Sequence, residues 1–270
     1  QLRLWDADIN DTLPTLDYGE YMRTDAGMRA WIEAIQLHGV VLLRGVPAQP
    51  GQLLDVARRI GPVRPSNFGE YYDVVSMPNP NASAYTSMGL ELHTDLANWN
   101  SPPDVQLLFC IRSSVRGGES LFADGFKVAT DLRARDPEAF RLLSSHPMDF
   151  RFHDDACDIR ASAPTIVLDG EGRITRVRFN NWLRAPMSLP EPLIEPMYAA
   201  LGTFWNMLRD PGYHLNLRLD PGCLIAYNNN RVLHGRASFD PTTGERHLQG
   251  CYLNLEDLQS KLRLLDRARA

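Results

Sequence analysis

The stretch His214-Leu215-Asn216-Leu217-Arg218-Leu219-Asp220-Pro221-Gly222-Cys223-Leu224-Ile225-Ala226-Tyr227 decides the fold class. Polar and apolar residues alternate from His214 to Leu219, the period-two pattern of a strand with one wetted face. Asp220-Pro221-Gly222 is a turn, because proline presets φ and glycine accepts positive φ. Cys223 to Tyr227 then runs apolar without a break, as a buried strand does. Upstream, Thr165 to Leu168 and Arg173 to Phe179 flank Asp169-Gly170-Glu171-Gly172, a hairpin signal. Downstream, His247 to Leu253 reads as a further strand. Val40 to Leu43, Val105 to Ile111 and Ser120 to Ala123 add short strands, the last entered through the turn Gly117-Gly118. Helical spacing appears at Asp25 to His38, where Met28, Trp31, Ile32 and Ile35 share a face and Gly39 is the stop. It recurs at Gln52 to Ile60, at Phe126 to Ser145 with a break near Asp136-Pro137, at Pro190 to Arg209 and at Glu256 to Arg267. Pro78 to Pro80 marks a loop. Many short strands with turn punctuation predict a mainly β fold with flanking helices, an antiparallel sandwich or jelly roll. A doubly wound α/β sheet fits less well, since helices and strands do not alternate regularly and no glycine-rich phosphate loop follows a strand.

The 270 residues show no internal repeat, low-complexity tract or linker, so residues 1–270 are expected to form one domain. The net charge of −5 argues against nucleic-acid binding, which leaves a basic footprint. No apolar run approaches the roughly 18 residues of a membrane span. The chain opens on Gln1 and shows no signal or transit peptide, and the expected location is cytoplasmic. Cys110, Cys157, Cys223 and Cys251 stand far apart with no CxxC pair. That spacing argues against a structural zinc site and predicts mostly buried free thiols.

The sharpest chemical feature is Leu92-His93-Thr94-Asp95. In an extended segment, side chains two apart share a face, so His93 and Asp95 can meet one ion. His234, in Asn230-Arg231-Val232-Leu233-His234-Gly235-Arg236, is the best third ligand. Two histidines and one carboxylate make the facial triad that leaves positions open on Fe(II) for oxygen chemistry. Arg246 follows twelve residues after His234, and its planar fork suits a carboxylate. Arg236 competes for that role.

These segments resemble the γ-butyrobetaine hydroxylase branch of the Fe(II)/2-oxoglutarate dioxygenases, with trimethyllysine hydroxylase and taurine dioxygenase as more distant relatives. The likeness also runs through Pro102-Pro103-Asp104-Val105-Gln106-Leu107-Leu108, Gly117-Gly118-Glu119-Ser120, Asp124-Gly125-Phe126, Phe179-Asn180-Asn181 and Arg246-His247-Leu248-Gln249-Gly250-Cys251-Tyr252. It implies a double-stranded β-helix and hydroxylation of an unactivated C–H bond, coupled to oxidative decarboxylation of 2-oxoglutarate to succinate and CO2. It implies O2 as oxidant and ascorbate as a support. It maps the iron ligands onto His93, Asp95 and His234. Arg246 matches the arginine on the distal carboxylate of 2-oxoglutarate, Ser120 a threonine that helps hold it, and Leu108 lines that pocket. The family's small N-terminal domain, which binds zinc and joins in dimer formation, is not found in this sequence, which leaves a homodimer open.

The resemblance also implies a small-molecule substrate with a quaternary ammonium group. Such a cation has no hydrogen to donate and is recognised by aromatic faces. Phe68, Tyr72, Tyr85 and Tyr252 fall where the resemblance places a cage. Asn180 matches the asparagine that reaches the substrate carboxylate, with Asn181 beside it. A second asparagine, expected three residues before Tyr85, is Ala82. Arg184, Asn98 and Trp182 are candidates to compensate. The expected substrate is a small trimethylammonium acid like γ-butyrobetaine. A trimethylammonium-alkyl phosphonate and trimethyllysine are the alternatives. A zinc hydrolase and a non-catalytic betaine-binding protein are rivals from other classes.

Overall fold

A computed structural model of the chain describes residues 2–75 and 86–268. Two sheets face each other. The larger has six strands in the order Thr15–Asp17, Val40–Arg44, Leu224–Asn228, Val105–Ser113, Arg246–Leu253 and Tyr71–Val75. The smaller has four, in the order His214–Leu217, Ser120–Asp124, Val232–Arg236 and Leu90–His93. All pairings are antiparallel except that of Thr15–Asp17 with Val40–Arg44. Neighbours far apart in sequence sit side by side, which is the winding of a double-stranded β-helix.

The apolar runs follow from burial on both faces of the larger sheet. Val41, Leu43, Leu107, Phe109, Leu224 and Ala226 point outward to a core with the helices Asp25–His38, Gln52–Ile60 and Leu255–Arg267. Val40, Leu42, Cys110, Ile225 and Leu248 point inward and meet Phe122, Leu215 and Val232 of the smaller sheet. A third core lies where Gly125–Arg135, Pro137–Ser145 and Glu191–Arg209 pack on the far side of the smaller sheet. Each sheet is therefore backed by helices, and the space between sheets is filled at one end and lined with polar groups at the other.

Local signals set the element ends. The helix Asp25–His38 starts on the Thr24 hydroxyl, which accepts from Gly27 N–H, and stops at Gly39, whose φ of 76° lets its N–H reach the Ile35 carbonyl. Asp136 caps Pro137–Ser145 through Ala139 N–H, so the break falls at Asp136-Pro137. The 214–227 stretch forms strands at His214–Leu217 and Leu224–Asn228, shorter and one residue later than the alternation suggests. The hairpin across residues 169–172 pairs Ile166–Leu168 with Ile174–Val177. The four cysteines are free thiols, three of them buried. No described helix is long and apolar enough to cross a membrane. Pro78 to Pro80 lies outside the described residues.

Candidate active site

His234 and His93 are direct partners across the antiparallel pair of Val232–Arg236 with Leu90–His93. That register puts both rings on one face, 4.3 Å apart between centroids. Asp95 is reached differently from the simple extended-chain argument. The strand ends at His93, and Asp95 sits in the turn that follows, beside Leu96, whose φ is 53°. The side chains still converge: Asp95 Oδ1 is 3.4 Å from His93 Nε2 and 3.6 Å from His234 Nε2. Among the described residues, these three form the one group of side chains close enough to share a metal ion, with ligand atoms within 4.8 Å of one another.

The surroundings suit a cation. His93 Nδ1 lies 2.8 Å from the Glu91 carbonyl, which fixes the ring and turns Nε2 toward Asp95. Burial, reinforced by His93, pushes His234 down to about 3 against the pull of Asp95. It is therefore a neutral imidazole with a free lone pair. Burial works against the charge on Asp95, but the two histidines and the Tyr252 hydroxyl outweigh it and hold the carboxyl well below the usual range. A half-buried carboxylate beside two imidazoles is the donor set that iron(II) takes.

One cavity of about 90 Å³ runs from this group to Arg246 and is also lined by Ser120, Leu108, Tyr72, Gln106 and Arg236. Arg246, at the start of Arg246–Leu253, makes no ion pair among the described residues, and burial lowers it to about 10. Its guanidinium stacks 5.5 Å over Phe239. Arg236, likewise lowered to about 10 by burial and by Arg246, donates to the carbonyls of Thr86 and Met88 at 2.7 and 2.6 Å. Both arginines line the cavity, and of the two Arg246 is the one without an oxygen partner among the described residues.

The aromatic residues form a contiguous wall. Phe68 and Tyr72 lie 6.4 Å apart between centroids, and Tyr72 and Tyr252 lie 5.6 Å apart. Phe152, not among the aromatics singled out above, adds an edge contact to Phe68 at 5.9 Å. Tyr72 accepts from Gln106 Nε2 at 2.7 Å. Tyr252 donates to Asp95 Oδ2, also at 2.7 Å. Burial and the Asp95 charge raise both tyrosines well above 10, so both stay neutral phenols. Tyr85 and Ala82 lie outside the described residues.

Asn180 is committed to the backbone. Its Oδ1 accepts from Trp182 and Leu183 N–H at 3.1 and 3.2 Å, and its Nδ2 donates to the Thr94 carbonyl at 3.2 Å. One Nδ2 hydrogen remains for a ligand. Asn181 keeps a buried Oδ1 without a hydrogen-bond partner among the described residues. Neither asparagine lines the cavity named above. Of the compensating candidates, Asn98 donates to the Ile159 carbonyl and Arg184 lies 5.9 Å over the Tyr198 ring. Trp182, 45% exposed, stands 5.8 Å from the His93 ring at 81°.

The two-sheet fold, the two-histidine, one-carboxylate group and the cation-lined cavity beside it define a non-haem iron dioxygenase that uses 2-oxoglutarate and O2. Residues 4–252 match the family described as "Taurine catabolism dioxygenase TauD, TfdA family", and the chain belongs to that family. It is 40% identical over 256 residues to a γ-butyrobetaine dioxygenase of Pseudomonas sp. (strain AK-1), covering 95% of this chain and 67% of that one. It is 30% identical over 270 residues to the mitochondrial trimethyllysine dioxygenase of Rattus norvegicus, covering 97% and 63%. The crystal structure of a taurine dioxygenase from Burkholderia xenovorans superposes with a TM-score of 0.67 at 16% identity, covering 94% and 90%. Membership of this family sets aside the zinc hydrolase and the non-catalytic binding protein.

Proposed function

We propose that this protein hydroxylates a small trimethylammonium acid, with γ-butyrobetaine as the leading substrate. In this reading residues 1–270 act as one catalytic domain. His93, Asp95 and His234 hold the iron, and Arg246, helped by Ser120 and Leu108, holds the distal carboxylate of 2-oxoglutarate. When bound, iron and 2-oxoglutarate supply the oxidation, in which 2-oxoglutarate is split to succinate and CO2 and one oxygen atom of O2 enters a substrate C–H bond.

The carrying observation is the aromatic wall of Phe68, Tyr72 and Tyr252, which ends on a hydroxyl bonded to Asp95. Its π faces offer a methylated cation what a hydrogen-bonding amine does not need. The neutral phenols keep the wall uncharged, and Gln106 fixes the tilt of Tyr72. Because Tyr252 touches both the wall and Asp95, a cation seated there is held at a set distance from the iron ligands, and small displacements cost rate heavily. Asn180, with one Nδ2 hydrogen uncommitted, and Asn181 are the donors assigned to the acid end. Identity to a γ-butyrobetaine dioxygenase favours that acid over trimethyllysine and over a trimethylammonium-alkyl phosphonate. The four free thiols support a reducing, cytoplasmic setting, and the net charge of −5 supports a small-molecule rather than a nucleic-acid partner.

The test supplies Fe(II), ascorbate, 2-oxoglutarate and each candidate acid in turn and measures succinate together with the hydroxylated product. Stoichiometric succinate and product with γ-butyrobetaine is the expected result. Coupled turnover with taurine, and none with any trimethylammonium acid, would overturn the reading.

A further inference from the structure

Asn229 is 1% exposed, and its side-chain amide is devoted to the segment that carries Asp95. Oδ1 accepts the Asp95 N–H at 2.7 Å. Nδ2 donates to the Asp95 carbonyl at 3.1 Å and to the Pro103 carbonyl at 3.0 Å. The backbone N–H of Asn229 donates to the Asp104 carbonyl at 2.7 Å, so the amide itself is anchored. Asp95 needs such a hold because it stands on a turn, where no ladder of strand hydrogen bonds fixes it. Leu96, the one non-glycine with positive φ among the described residues, follows it directly. By meeting both N–H and C=O of a single residue, the Asn229 amide does for Asp95 what a paired strand does for His93.

The position of Asn229 matters as much as its bonds. It lies in the turn between Leu224–Asn228 and Val232–Arg236, the strand that carries His234. Arg231 N–H closes that turn on the Asn228 carbonyl at 2.9 Å. Asp95 and His234, which lie far apart in the sequence, are thus referred to one turn.

We infer that Asn229 is a positioning residue for the metal centre: it fixes Asp95 against the turn leading to His234 and so strengthens metal binding. This rests on the reading of His93, Asp95 and His234 as metal ligands. Residues that orient a ligand without touching the metal commonly contribute about tenfold or more to affinity. Asn230 supplies the control. It sits in the same turn, is 6% exposed and donates to Asp104 Oδ1 at 2.7 Å, away from Asp95.

The experiment titrates the full-length, metal-free protein with Co(II) and follows its visible absorption. For Asn229→Ala the Co(II) dissociation constant should rise about tenfold or more, while Asn230→Ala shifts it less than threefold. A rise for Asn229→Ala no larger than that for Asn230→Ala overturns the inference and leaves Asn229 a purely structural residue. Should Asn229→Ala fail to fold, amide exchange in the unsubstituted, metal-free protein decides. The Asp95 N–H should then exchange at least a hundredfold more slowly than an unprotected amide, and free exchange overturns the inference. Failure of the unsubstituted protein to bind Co(II) is a separate outcome, which overturns the metal-ligand reading itself.

Discussion

Tyr252 donates its phenolic hydrogen to Asp95 Oδ2 across 2.7 Å while its ring packs 5.6 Å from that of Tyr72. One side chain thereby belongs to the aromatic wall and to the support of a candidate iron ligand, and the two roles separate by substitution. Tyr252→Phe keeps the ring and removes the bond to a charged group, which is worth about 1.5–3 kcal/mol. Its turnover should fall about tenfold, with the Michaelis constant for the trimethylammonium acid within threefold of the parent. Tyr252→Ala should weaken both. Steady-state kinetics of the pair checks this, and an unchanged kcat in Tyr252→Phe, or parent-like substrate binding in Tyr252→Ala, would break the assignment.

Arg246 is a half-buried cation without an ion-pair partner among the described residues, in a cavity it shares with Ser120 and Leu108. On the proposed role of Arg246 as the partner of the cosubstrate carboxylate, Arg246→Met removes a charge pair, a loss of about 2–5 kcal/mol. The apparent Michaelis constant for 2-oxoglutarate should rise on the order of a hundredfold. That for the hydroxylated substrate should change little. An unchanged dependence on 2-oxoglutarate would pass the role to Arg236.

Gly250 faces Tyr72 in the register of Arg246–Leu253 with Tyr71–Val75. A Cβ at Gly250 would lie 2.6 Å from Tyr72 Cε2 and from its hydroxyl, closer than such atoms approach. Gly250→Ala should therefore push the Tyr72 ring out of the wall. Substrate affinity should fall about tenfold, since a desolvated cation–π contact is worth about 2 kcal/mol. The dependence on 2-oxoglutarate should stay within twofold. Titration of both ligands separates the effects.

Arg231 and Asp124 form a bidentate pair, 3.0 and 2.8 Å, that is almost wholly shielded from solvent. Asp124 also accepts from Trp5 N–H and Phe126 N–H, so the pair ties the N-terminal segment to the smaller sheet. Asp124→Asn leaves Arg231 as a buried charge without its partner and should cost about 3–5 kcal/mol. The melting temperature should drop on the order of 10 °C, read by calorimetry. A drop below 2 °C would mean that the carbonyls of Leu37 and Arg3 suffice for Arg231.

The parts of this architecture that depend on short-range chemistry were legible in the sequence. Asp25–His38 and Gln52–Ile60 begin and end where the apolar spacing and the glycine stops put them. His93 and Asp95 meet as their spacing suggests, although a turn rather than a strand brings the carboxylate round. What was hidden depends on distant partners. Pro147–His153 and Asp158–Pro164 are an exception: they pair over seven residues, and Met148, Phe150 and Phe152, opposite Ala163, Ala161 and Ile159, alternate with polar residues in a period-two signal that the strands singled out above do not include. Val232–Arg236 is a central strand of the smaller sheet, but its five residues hold a histidine, a glycine and an arginine and show no period of two. Asn180, read as a donor to substrate, is largely occupied with capping Trp182 and Leu183. Asn229 is one of three consecutive asparagines that read as a turn, and its partner Asp95 is 134 residues away.

The central claim is that the wall of Phe68, Tyr72 and Tyr252 recognises a permanent cation. The most direct measurement compares γ-butyrobetaine with its neutral analogue, in which tert-butyl replaces trimethylammonium at nearly the same shape. Binding is read by calorimetry to the protein loaded with Fe(II) and 2-oxoglutarate in the absence of O2. A cation–π contribution of about 2 kcal/mol predicts that the cation binds at least tenfold more tightly. Equal affinity for the two would reduce the wall to an apolar pocket and contradict the account.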